Sequence, residues 1–366
     1  MTLILIGATI SVIVGLVGTR LYAALARRRS WGQFVRVDGP TSHHTKRGTP
    51  QMGGIAIIAT TLIAYVGAHL ATWSAPTVSG LLVLMLMLGA GFIGFLDDFS
   101  KIRKEQSEGL TSRQKLAGQI AVAVVFALLA TRFARDGLTP ASFRISVVRD
   151  TALDLAAFGT VIGLVLFIAW ATLMIAAASN AVNLTDGLDG QATGASVMVF
   201  IALSLIGVWQ WLNSCTIAAA AGCYEVRDPL DLALVAACIA GACIGFLWWN
   251  APPAKLFMGD TGSLALGAAL AGIAIMSRTE LLMIVLGGLF VLETVAVIIQ
   301  VGVFKATKRR NGGVGRRVFR MTPIHHHFEL LGWSQVTVAI RFWIIAAVCV
   351  SAGLGIFYGE WLLAAG

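Results

Sequence analysis

The chain has 366 residues, 57% of them hydrophobic and only 12% charged, with a mean hydropathy of +0.83. Those values exclude an ordinary soluble domain and point to an all-α polytopic membrane protein. The net charge of +9 is no nucleic-acid signature, because the basic residues flank apolar runs instead of forming one surface.

A helix needs roughly 20 apolar residues to cross a bilayer. Ten such runs are predicted in chain order: 3–23, 53–72, 78–96, 116–134, 157–178, 193–212, 230–249, 263–277, 281–304 and 338–358. No linker, charge block or low-complexity tract divides them, so residues 1–366 read as a single integral membrane domain. The first run lacks a basic leader and is followed by Arg27-Arg28-Arg29, which predicts an uncleaved anchor with its N-terminus outside. The inner loops are then 24–52, 97–115, 179–192, 250–262 and 305–337. Of 27 Lys and Arg, only Arg132, Arg135, Arg144, Arg149, Arg227 and Arg278 fall on the outer side. That is the asymmetry of the positive-inside rule. It puts both termini outside and every cluster of reactive polar residues on the cytoplasmic face.

The first inner loop carries Ser42-His43-His44-Thr45-Lys46-Arg47-Gly48-Thr49-Pro50-Gln51-Met52-Gly53-Gly54, whose cations suit lipid headgroups or nucleotide phosphates. Asp97 and Asp98 stand where the third run ends, followed by Lys101. Neighbouring helical residues point about 100° apart, so one acid can address a substrate while the other binds metal or lysine. Asn183-Leu184-Thr185-Asp186-Gly187-Leu188-Asp189-Gly190 is a polar turn with a glycine after each acid, as ligand-cradling loops require. A capped re-entrant turn is the plainer reading. Cys215 and Cys223 share one outer loop, where a disulfide is an option; Cys238, Cys243 and Cys349 lie in apolar runs and read as small hydrophobes.

Asn250 to Ser263 includes Phe257 and Asp260 at the opening of the eighth run. Asp260 there is either a helix cap or a ligand for Mg²⁺, which takes one or two carboxylates plus phosphates. Glu293 and Gln300 lie within the ninth run, where an intramembrane acid is a functional candidate. The last inner loop holds Pro323-Ile324-His325-His326-His327-Phe328-Glu329. Three consecutive histidines cannot all face one metal from a regular element, but they suit phosphate or sugar hydroxyls.

In this order the motifs resemble the phospho-N-acetylmuramoyl-pentapeptide transferase family, over nearly the whole chain. The resemblance implies ten spans, a bacterial cytoplasmic-membrane location, a homodimer and a Mg²⁺-dependent cytoplasmic site. It also implies transfer of phospho-MurNAc-pentapeptide from UDP to undecaprenyl phosphate, giving lipid I and UMP. Carried over by position, Asp260 becomes the principal metal ligand and Asp97 the base or nucleophile, with Asp98 assisting with metal or charge. Lys46, Lys101 and Lys115 stabilise pyrophosphate charge. Asn183, Asp186, Gly187, Asp189, Asn250, Phe257 and Gln300 shape the nucleotide pocket, and His325, His326 and His327 meet the sugar-phosphate side. Gln51 and Gln191 stand where many relatives carry Thr and Leu. A related polyprenyl-phosphate N-acetylhexosamine-1-phosphate transferase shares the acid motifs, but the tri-histidine with Phe328-Glu329 favours the muramoyl enzyme. A cation-coupled transporter would carry midplane acids and repeated halves, which the sequence does not display.

Overall fold

The computed structural model describes residues 1–29, 31–32, 48–106, 108–217, 220–310 and 312–365. Among them are ten helices long and apolar enough to span a membrane. They are α1 (Thr2–Arg28), α2 (Gly54–Thr72), α3 (Val78–Lys104), α4 (Ser112–Ala130), α5 (Thr160–Thr185), α6 (Gln191–Leu212), α7 (Pro229–Asn250), α8 (Gly259–Met276), α10 (Gly288–Arg310) and α12 (Gln335–Ala365). The expectation of all-α structure needs one correction. Two short antiparallel strands, β1 (Arg144–Ser146) and β2 (Asp150–Asp154), follow α4. This stretch is too polar to cross a bilayer, and Glu280 anchors it by accepting from Ser146 N at 2.7 Å and Ser146 Oγ at 3.0 Å.

The ninth run is not one helix. It breaks at Gly287 into α9 (Leu282–Leu286) and α10, since the Gly287-Gly288 pair weakens the helical ladder. Several helices also outrun their apolar stretches. α3 continues seven residues past Asp97 and α5 extends through Thr185, so Asp97, Asp98 and Asn183 sit on helix rather than in loops. A short α11 (Ile324–Glu329) carries the histidines.

α8 occupies the centre and nearly all of its residues are buried. α3 and α5 pack along it, α7 packs between α1 and α6, and α12 lies against α6, α9 and α10. Small residues make this closeness possible. A Cβ at Gly54 would collide with Gly262 N, one at Gly94 with Asp260 O, and one at Gly267 with Ala178 O. Gly94 therefore lets the last turns of α3 lie directly on the first turn of α8.

The two ends of the bundle differ in chemistry. At one end Asp231 of α7 accepts from Tyr65 Oη (2.8 Å), Thr77 N (3.0 Å) and Thr77 Oγ1 (2.6 Å) and pairs with His69 Nε2 (3.0 Å), tying α2, α3 and α7. The strands and a Cys215–Cys223 disulfide share that end. Arg149 donates to the carbonyls of Gly222 and Cys223 and to Glu360 Oε1, fastening the disulfide loop to α12. The carboxylate-rich motifs lie at the opposite end.

Closing a loop of this size restricts the unfolded chain by roughly 2–3 kcal/mol. Dithiothreitol should therefore lower the melting temperature of the detergent-solubilised protein by a few degrees. It should leave a Cys215→Ser/Cys223→Ser double variant unmoved, as differential scanning fluorimetry can read.

Candidate active site

The site is built on the first turn of α8, where Asp260 meets the last turns of α3 and the first turn of α4. Asp97 and Asp98 are fully buried. Asp97 Oδ1 accepts from Leu110 N at 2.7 Å, while Oδ2 pairs with Lys101 Nζ at 2.6 Å and Lys115 Nζ at 3.0 Å. Lys101 is four residues on from Asp97, so helix geometry alone brings them together. Lys115 arrives from α4, whose start is fixed by a capping box between Thr111 and Gln114. Its Nζ lies 2.5 Å from Asp260 Oδ2, and Lys101 Nζ lies 3.4 Å from the same oxygen.

Asp98 takes another role. Its carboxylate accepts from Asp260 N (3.2 Å), Thr261 N (3.0 Å) and Thr261 Oγ1 (2.8 Å), so it caps α8 from outside the helix. Gln51 Nε2 approaches Asp98 Oδ1 at 3.4 Å. Asp260 does not cap its own helix. Its Oδ1 accepts from Asn183 Nδ2 at 2.9 Å, and the same amide nitrogen donates to Ser263 Oγ at 2.8 Å. Of the two roles open to Asp260 in the sequence, the cap thus falls to Asp98. One oxygen from each of Asp97, Asp98 and Asp260 lies within 4.8 Å of the others. Hard carboxylate oxygens at that spacing can hold a metal ion.

Beside the cluster is a cavity of about 190 Å³ lined by Lys101, Asn183, Asp186, Gly187, Asp189, Asn250, Phe257, Asp260 and Gln51, among others. Asp189 Oδ2 accepts from Ala254 N at 2.9 Å, which fastens the 186–190 turn to the segment after α7. Asn250 is buried and its amide is occupied by Leu256 O (2.9 Å) and Thr193 Oγ1 (2.7 Å), so it shapes the cavity by holding the chain. The two glycines of the turn do different work. Gly190 has φ +73°, the left-handed conformation that starts α6. Gly187 has no such φ; its bare Cα makes room for the His325 ring.

The structure does not bring every expected residue to this cavity. Gln300 accepts from Val318 N and Phe319 N at 2.9 Å and donates to Phe319 O at 3.0 Å, clamping the loop after α10. The three histidines diverge: His325 Nδ1 pairs with Glu293 (2.8 Å), His326 Nδ1 with Glu329 (2.7 Å), and His327 Nδ1 accepts from Arg320 N (3.2 Å). Lys46, with the 33–47 stretch of its motif, lies outside the described residues. Thr261, Gln51 and Gln191 escaped notice in the sequence as partners of acids. Gln191 donates to Glu293 Oε1 at 2.9 Å. Only the hydroxyl inside Gly-Asp-Thr-Gly gave a signal for Thr261; no spacing rule links residue 51 to 98 or 191 to 293.

Asp186 is the residue at which α5 ends. Burial and the nearby charge of Asp260, with smaller contributions from Asp98 and Asp189, push its carboxyl well above the usual range. A raised folded-state pKa in an acid means the unfolded chain ionises first, so stability falls as pH rises past the ordinary carboxylate range. Asp186→Asn should raise the melting temperature at pH 8 and lose that gain as the pH is taken towards 4, measured in thermal melts across the range.

The chain matches glycosyl transferase family 4 over residues 80–278, more than half its length. It is 60% identical to the phospho-N-acetylmuramoyl-pentapeptide-transferase of Kineococcus radiotolerans, with all of both chains covered. It is 56% identical to the protein of that name from Paenarthrobacter aurescens, covering 99% of this chain and all of the other. Against the one from Streptomyces avermitilis it is 58% identical over 98% of each. With identities of this size running from end to end, the chain belongs to the phospho-N-acetylmuramoyl-pentapeptide-transferase family, within glycosyl transferase family 4.

Proposed function

We propose that this protein transfers phospho-MurNAc-pentapeptide from its UDP conjugate to undecaprenyl phosphate, forming lipid I and releasing UMP in peptidoglycan synthesis. The observation that carries the reading is the Asp97–Asp98–Asp260 cluster, bridged by Lys101 and Lys115 beside a polar cavity. Phosphoryl transfer needs positive charge where oxygen charge develops, and the two lysines held beside the cavity by buried acids can supply it.

In this reading a lipid-phosphate oxygen forms the new bond to the phosphorus carried by the sugar. The bond from that phosphorus to the bridging oxygen breaks, and the electron pair leaves with UMP. Asp97 takes the proton of the attacking phosphate. Lys101 and Lys115 move from their carboxylates onto the phosphate oxygens, and the family resemblance gives Lys46 the same role. The pocket side chains Asn183, Asp186 and Phe257 hold the uridine. Mg²⁺ suits the hard donor set of Asp97, Asp98 and Asp260 and, when bound, neutralises pyrophosphate charge.

In this reading the protein lies in the bacterial cytoplasmic membrane, with both termini outside and the site on the cytoplasmic face. Two independent features support that orientation. The Lys and Arg excess lies at the carboxylate end, and the Cys215–Cys223 disulfide lies at the other, where an oxidising compartment preserves such bonds. A homodimer follows from the family resemblance.

The deciding assay supplies purified protein with Mg²⁺, undecaprenyl phosphate and UDP-MurNAc-pentapeptide and measures UMP. Turnover with this donor and none with UDP-GlcNAc is expected; the reverse would move the protein to the hexosamine-phosphate branch. Asp260→Asn should cut turnover by about 10³-fold. Asp154→Asn, at the far end of the bundle, should leave it within about 2-fold, in line with ordinary surface substitutions. Equal losses would contradict a site confined to one end.

A further inference from the structure

Glu293 of α10 is fully buried in a span, and its carboxylate has no ammonium or guanidinium partner among the described residues. Three donors satisfy it instead. Oε2 accepts from Ile324 N at 2.8 Å, while Oε1 accepts from Gln191 Nε2 at 2.9 Å and from His325 Nδ1 at 2.8 Å. One carboxylate thereby joins α6, α10 and α11. An acid kept in so costly a place needs more than a packing role to explain it.

The imidazole it holds is also fully buried, and Nε2 has no hydrogen-bond partner among the described residues. That nitrogen lies against Gly187, where an added Cβ would collide with it. Gly187 is part of the cavity wall. A carboxylate accepting at Nδ1 keeps the ring proton on that nitrogen, so Nε2 is left as an acceptor. The absent side chain of residue 187 is what leaves this acceptor facing the cavity wall.

We infer that Glu293 is a positioning residue. It fixes the tautomer and ring orientation of His325 so that Nε2 can accept a hydrogen bond from a hydroxyl of the bound nucleotide-sugar. The inference rests on the transferase reading above. It predicts an effect on one substrate alone, because the polyprenyl phosphate has no sugar or ribose hydroxyl to offer.

The test is a double-mutant cycle on the full-length protein, with both substrates varied. His325→Ala and Glu293→Gln should each lower kcat/KM for the UDP-sugar by about 10- to 100-fold, the range seen for partners that orient a ligating histidine. The KM for undecaprenyl phosphate should stay within about 2-fold. The double variant should be no worse than the poorer single, since Glu293 acts only through the imidazole. Gly187→Ala covers Nε2 without touching Glu293; it should reproduce the loss and add nothing to His325→Ala, and it decides the matter if Glu293→Gln does not fold. Losses that multiply, or a KM for the lipid phosphate that moves in parallel, would overturn the positioning role. A wild-type protein that releases no UMP would instead remove the transferase reading.

Discussion

Everything at the carboxylate end depends on holding buried acids where helices leave the membrane. Asp97, Asp98 and Asp260 are tolerated because Lys101 and Lys115 pair with them and because the first amides of α8 donate to Asp98. Removing one partner of such a pair leaves an uncompensated buried charge, at a cost of about 3–5 kcal/mol. The same pairing stores two cations where a polyanionic substrate would arrive. In the proposed transfer, the phosphates take over the lysines, and the carboxylates are then free to meet a dication.

The acids divide the labour according to their surroundings. Asp98 is committed to the N-terminus of α8 and has little capacity left for a substrate. Asp97 and Asp260 share the lysines. Asp186 is pushed up by burial and by the charge of Asp260, against a backbone hydrogen bond from Gly259 that pulls the other way. Glu293 is satisfied by donors from Gln191, Ile324 and His325, so its charge is spent on orientation.

Close helix packing sets these distances. Gly94 and Gly54 admit the first turn of α8 against α3 and α2. Larger residues there would part Asp98 from Thr261 before any catalytic side chain had changed. At the other end, Asp231 ties α2 and α3 to α7, and Arg149 fastens the disulfide loop to α12. The site is therefore braced along the full length of the bundle.

The sequence by itself determined the ten spans, the charge bias and the motifs that carry acids, lysines and histidines. Hydropathy and charge are local quantities, readable along the chain, and the Lys101–Asp97 pair follows from helical spacing alone. The tertiary structure decided what depends on contacts between distant segments. It alone gave Asp98 the cap of α8, sent Gln300 to clamp a loop, and turned the three histidines to three different partners. It also joined Gln191, Glu293 and His325, which lie on separate elements. Such pairings are fixed by how helices pack, and no periodicity in the chain encodes them. The break at Gly287 and the small β-structure belong to the same class, because an apolar run shows that a segment is buried but not where its hydrogen-bond ladder stops.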